Sequence, residues 1–167
     1  MTSDMNELQS AILDITHVYS IYARAIDEKR FDLLSQVFSA DAELHYIVGP
    51  HEFRSNGAES GNAFGEFLKL CYWTNHLIGA PAVELHGDRA WATARVQATH
   101  LQERDDGAMS RWFLRGSYHD QFERRDGNWI IVNRYCHTPD DEGEFLAEGV
   151  KTFAAIGWTE AAKVRAA

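Results

Sequence analysis

The sequence predicts an α+β fold, in which N-terminal helices pack on a strongly curved, mostly antiparallel mixed sheet forming a cone with a central pocket. Three observations carry this. Apolar residues at helical spacing dominate the N-terminal part, and from residue 74 onward the pattern switches to a period of two. The extended stretches then follow one another through short turns and do not alternate with helices. Small residues on long strands (Ala92, Ala94, Ala98, Gly116) suit a curved sheet with something lying against it.

Each element has its own signal. Leu8, Ala11, Ile12, Ile15, Tyr19, Tyr22, Ala23 and Ile26 form one stripe, so the first helix runs from a capping box at Asp4 and Glu7 to residues 27–30. A short second helix is expected over residues 31–38. A strand over 42–48 is broken by Gly49-Pro50, with 53–56 as its hairpin partner. Asn56 or Ser60 caps a third helix reaching residue 72, with Phe64, Phe67, Leu68 and Cys71 on one side. Residues 74–85 read as a strand interrupted at Gly79-Ala80-Pro81; strands over 89–103 and 110–125 follow. Arg125-Asp126-Gly127-Asn128 is a hairpin signal leading into a strand over 129–136. Pro139 to Gly143 reads as a break, and residues 144–164, with Phe145, Val150, Phe153, Ile156 and Trp158, as a last helix. The expected organisation is a cone domain over residues 1–140 with a C-terminal helical extension over 141–167.

Composition narrows the partners. The 167 residues are 45% apolar and 12% aromatic with 3 Pro, which is globular composition. A formal charge of −9 argues against nucleic acid and anionic membrane surfaces. No apolar run approaches the ~18 residues of a membrane span, and no signal peptide is visible, so a cytoplasmic protein with two reduced thiols, Cys71 and Cys136, is expected. The eight histidines lack HxH or HxxxH spacing, so no metal and no other cofactor is expected.

Asp27 breaks a rule twice. It continues the row Tyr19, Ala23 on the face that should be buried, and it stands at the helix end where the macrodipole disfavours a carboxylate. Such local conflicts tend to mark functional sites. Arg134 is a second conflict, expected to share strand parity with Ile130, Val132 and Cys136; it needs a carboxylate partner or a developing charge.

Four segments together resemble a known family: Ile15 to Asp27, Phe38-Ser39-Ala40-Asp41-Ala42, His76, and Phe122-Glu123-Arg124-Arg125-Asp126-Gly127-Asn128-Trp129. The family is the SnoaL-like branch of the nuclear-transport-factor-2-like superfamily. The spacing is most similar to scytalone dehydratase, hexachlorocyclohexane dehydrochlorinase and bile-acid 7α-dehydratase. The resemblance implies that Asp27 orients His76, that His76 is the general base, and that Tyr22, Tyr118 and Arg134 are pocket positions. Trp73, Phe64 and Phe67 would suit a ring system, and His100 ends the inward series Ala94, Val96, Ala98 as a second pocket histidine. The plainer readings are a solvated Asp27, a structural His76 and core packing for Tyr22 and Tyr118.

The expected function is a cofactor-independent lyase or isomerase, with proton abstraction by an Asp27–His76 dyad from a cyclic, largely apolar small molecule. One rival is a non-catalytic binding or assembly subunit resembling the small subunit of ring-hydroxylating dioxygenases. Others are a polyketide cyclase, or an epoxide hydrolase using Asp27, Arg134 and Asp120. Trp91, Phe113 and Trp129, taken as outer-face residues, imply a homo-oligomer, a trimer ahead of a dimer.

Overall fold

The computed structural model describes residues 2–153. Helix α1 (Thr2–Asp27) starts at Thr2, so Asp4 lies inside it and not at a cap. It buries Ala11, Ile15, Val18, Tyr19, Tyr22, Ala25 and Ile26. Its end is well defined: Arg30 N donates to Ala25 O at 2.8 Å and Lys29 N to Ile26 O at 3.2 Å, with Lys29 at φ +52°. This is the paired closure usually built on glycine. Here a lysine holds the left-handed position, and its Nζ donates to Cys71 O at 2.6 Å. Asp27 is thereby fixed as the last helical residue.

A short 3-10 helix (Phe31–Gln36) leads into β1 (Phe38–Val48), which begins earlier than the pattern suggested. Strand β2 (His51–Asn56) and helix α2 (Ser60–Leu68) follow, the helix stopping short of residue 72. The stretch 74–85 is two strands, β3 (Trp73–Ile78) and β4 (Ala82–His86), separated at Gly79-Ala80-Pro81 and both paired with β5 (Arg89–Glu103). Strands β6 (Met109–Arg125) and β7 (Asn128–Gly143) are joined by a two-residue turn with Asp126 at φ +51° and Gly127 at +81°, the conformation an Asp-Gly hairpin favours. The sheet order is β2-β1-β7-β6-β5-β3 and only β1–β7 is parallel. Helix α1 lies across its concave face, which gives the expected α+β cone with the sheet open.

Three expectations are corrected here, two of them by β-bulges in the β6–β7 ladder. Strand β7 does not break at Pro139. Ser117 pairs with His137 and Arg115 with Asp140, so Thr138 and Pro139 bulge opposite Gly116 and no ladder N–H is demanded of the proline. A Cβ on Gly116 would lie 2.1 Å from His137 O, so the bulge requires glycine there. Second, the helix expected from residue 144 is not formed over 144–153, which runs as an irregular strap with bends over 147–149; residues 154–164 lie outside the described residues. Third, a shift between Gln121 and Phe122 leaves Val132 as an extra residue, so parity flips within β7. Trp129 and Ile131 face inward before it, Arg134 and Cys136 after it. Trp129 is therefore core, with Arg124 over its ring at 4.8 Å, and not an outer-face residue.

Among the described residues no helix is long and apolar enough to cross a membrane. Cys71 and Cys136 are free and buried, and burial pushes both thiols up to about 12, which makes them poor nucleophiles.

Candidate active site

Thr74 and His76 stand two residues apart on β3, so both point to the same side, toward the end of α1. There they converge on Asp27. His76 Nδ1 lies 2.7 Å from Asp27 Oδ1, His76 N donates to Oδ2 at 2.8 Å, and Thr74 Oγ1 donates to Oδ1 at 3.0 Å. The two side chains are about one-tenth exposed. Burial works to raise the Asp27 pKa, but the hydrogen bonds and charge from His76, with the Thr74 hydroxyl, outweigh it and hold the carboxyl below its ordinary value. An ionised carboxylate only accepts, so Nδ1 carries a proton, and in the neutral form of the ring Nε2 holds the lone pair. His76 lines the cavity and Asp27 stands behind it. The arrangement is an imidazole whose Nε2 is left for the cavity and a carboxylate placed to stabilise the imidazolium.

The cavity measures about 60 Å³ and lies between α1, α2 and the concave sheet face. Tyr22, Tyr118, Phe64, Phe67 and His100 line it. Trp73 does not. It has the opposite strand parity to His76, so it faces away from the cavity. Tyr46, Thr138 and His51 also line it and were not foreseen. Tyr46 shares parity with the buried Ala42 and Leu44, which was the available signal.

Arg134 is in a different place from the one expected. It is fully buried behind the cavity wall in a two-point pair with Asp120, Nε to Oδ1 at 2.8 Å and Nη2 to Oδ2 at 2.6 Å. The rings of Tyr22 and Tyr118 flank its guanidinium at 4.3 and 4.2 Å. Its Nη1 donates to Tyr46 Oη at 3.4 Å, and Tyr46 Oη lies 3.3 Å from Tyr22 Oη. Arg134 thus reaches the cavity only through tyrosine hydroxyls. Burial, above other causes, raises the pKa of Tyr22 and Tyr46 well beyond the ordinary value, so both remain neutral hydrogen-bond donors. The Asp–Arg–Asp set of an epoxide hydrolase is not assembled, since Asp120 is committed to Arg134 and Asp27 to His76.

His100 stands with its ring 5.5 Å from that of His76 and nearly perpendicular to it. Burial, with the neighbouring His76, pushes its pKa down to about 3, so it is a neutral imidazole. Its Nδ1 has no partner among the described residues. Among those residues no three His, Cys, Asp or Glu side chains converge in a metal-holding group.

Comparison with known proteins agrees with this architecture. An uncharacterised protein of Mycobacterium tuberculosis strain H37Rv is 27% identical over 142 residues, covering 79% of this chain and 83% of its own length. A candidate scytalone dehydratase from Novosphingobium aromaticivorans superposes with a TM-score of 0.69 at 18% identity, covering 91% of this chain and 97% of that one. A type 2 hexachlorocyclohexane dehydrochlorinase (LinA) superposes with a TM-score of 0.67 at 18% identity, covering 92% and 99%. The SnoaL-like domain model matches residues 8–135, and the chain belongs to that family.

Proposed function

We propose that the protein is a cofactor-independent lyase or isomerase that abstracts a proton from a neutral, cyclic, largely apolar small molecule. The observation carrying this is the 2.7 Å contact between His76 Nδ1 and Asp27 Oδ1, which leaves Nε2 to the cavity. In the proposed step Nε2 takes a proton from substrate carbon, and Asp27 stabilises the imidazolium that forms. The Tyr22–Tyr46 hydroxyls, held by Arg134, donate to a carbonyl or leaving oxygen as charge develops on it. His100 lines the same cavity, and its Nδ1 has no partner among the described residues. Apart from these groups and His51, Thr138 and Cys136, the lining is aromatic and aliphatic, and among the described residues it contains no Lys or Arg to balance a carboxylate ligand. The scytalone dehydratase and dehydrochlorinase likenesses support an elimination.

The test is a screen of cyclic β-hydroxy ketones and halogenated rings for release of water or halide, run in ¹⁸O-labelled water. Elimination leaves the organic product unlabelled, whereas hydrolysis labels it. Turnover lost in both Asp27→Asn and His76→Ala, with the circular-dichroism spectrum retained, supports the dyad; full activity in either contradicts it.

A further inference from the structure

The strap over residues 144–153 carries side chains that the proposed chemistry does not use. It is tied down at several points: Leu146 N donates to Gln102 Oε1 at 2.7 Å, Lys151 N to Glu103 O at 2.8 Å, and Phe153 N to Lys69 O at 2.7 Å. Gln102 is the central clip. It is 1% exposed, and its Nε2 also donates to Leu146 O at 2.9 Å and Leu70 O at 3.4 Å. A single buried amide therefore joins β5, the strap and the segment leading into β3.

The residue next to that clip is Phe145. Its ring lies flat on Phe67, with centroids 4.0 Å apart and planes 8° from parallel. It also abuts Trp112 at 5.5 Å and His51 at 6.2 Å. Phe67 and His51 line the cavity, so Phe145 backs its wall from outside. Phe145 itself belongs to no strand and is only half-buried.

Volume gives this arrangement a consequence. A protein cavity that takes up benzene has a volume of about 150 Å³, and this one has about 60 Å³. A six-membered ring does not fit until part of the wall moves. The sheet and α1 are held by ladders and core packing, whereas Phe145 is carried by the strap, outside any strand ladder.

We propose that Phe145 is a gate that sets the largest ring the cavity admits, and that Gln102 is the positioning residue holding the gate shut. The inference rests on reading the cavity as a site for cyclic ligands. It is tested by measuring the binding of cyclohexanone, 1-tetralone and anthrone to the full chain, by ligand-observed NMR and titration calorimetry. The proteins compared are the parent, Phe145→Ala, Gln102→Met and the double variant. Opening the gate is expected to tighten all three ketones, with the gain rising with ring size to at least about tenfold for 1-tetralone and anthrone. Gln102→Met is expected to act in the same direction, and to add nothing in the Phe145→Ala background. A merely structural Gln102 would lower the melting temperature without changing the size dependence, and that outcome overturns its assignment. Equal size dependence in the parent and Phe145→Ala overturns the gate alone. Failure of all three ketones to bind any of the four proteins overturns the ring site and the gate together.

Discussion

Replacing Asp27 by asparagine changes one atom and should abolish the base. Among the described residues the carboxylate accepts from the His76 ring, the His76 backbone amide and the Thr74 hydroxyl. An asparagine side chain offers one accepting oxygen and one donating nitrogen. If the oxygen stays with the ring, the amide nitrogen faces the backbone N–H of His76. Two donors then confront each other in a buried place, at a cost of about 1–3 kcal/mol. If the oxygen takes the backbone N–H instead, the –NH₂ donates to Nδ1 and the ring proton moves to Nε2. The second arrangement wins, because the Thr74 hydroxyl can rotate to suit it. Its consequence is an imidazole with no lone pair toward the cavity. The same tautomer error in the serine-protease triad costs about 10⁴ in turnover, so a loss of roughly 10³–10⁴, or about 4–5.5 kcal/mol, is expected here. Long-range ¹H–¹⁵N correlation of the imidazoles reads the tautomer without any substrate. The reasoning is refuted if Asp27→Asn keeps the proton on Nδ1 or loses less than about tenfold in turnover.

Three further outcomes follow from buried groups. The folded pKa of His100 lies near 3, below its ordinary 6.5, so the unfolded chain binds the extra proton between those values and stability falls as pH drops through that window. His100→Phe should flatten that acid limb by something of the order of a few kcal/mol, read from urea midpoints across the window; an unchanged slope would show that His100 is not buried neutral. Arg134→Met leaves Asp120 as an unpaired buried charge and should cost about 3–5 kcal/mol, with Asp120→Leu on top of it recovering much of the loss. A single substitution that leaves the denaturation midpoint in place would contradict this. The outer sheet face exposes Trp91, Leu77 and Tyr135, and we propose that it self-associates; light scattering at micromolar concentration should exceed the monomer mass, and a monomer refutes it.

Much of the fold was legible because its signals are local. The span of β5, the Asp-Gly hairpin, and the inward series Ala92, Ala94, Val96, Ala98 all follow from period and turn chemistry within a few residues. Asp27 was visible as a charge on an apolar row, and the resemblance supplied its partner. What could not be read was set by irregularities that only pairing reveals. The bulge opposite Gly116 lets β7 run through Pro139, which by composition is a break. The extra residue Val132 reverses parity, which exchanges the expected faces of Trp129 and Arg134's neighbours. The strap is the extreme case, since its apolar residues are ordered by Gln102 and by Phe67, neither of which is near them in sequence. Arg134 was recognised as needing a partner, and Asp120 was named beside it only for a different chemistry. Trp73 was misplaced although its odd offset from His76 already excluded it.

Hydrogen exchange at carbon tests the central claim most directly. The protein is incubated in D₂O with neutral cyclic ketones, and deuterium uptake beside the carbonyl is followed by mass spectrometry. A dyad with Nε2 of His76 as base predicts catalysed uptake by the parent chain and only the solvent rate with His76→Gln, at unchanged circular dichroism. Uptake at the parent rate in the His76→Gln variant would contradict it.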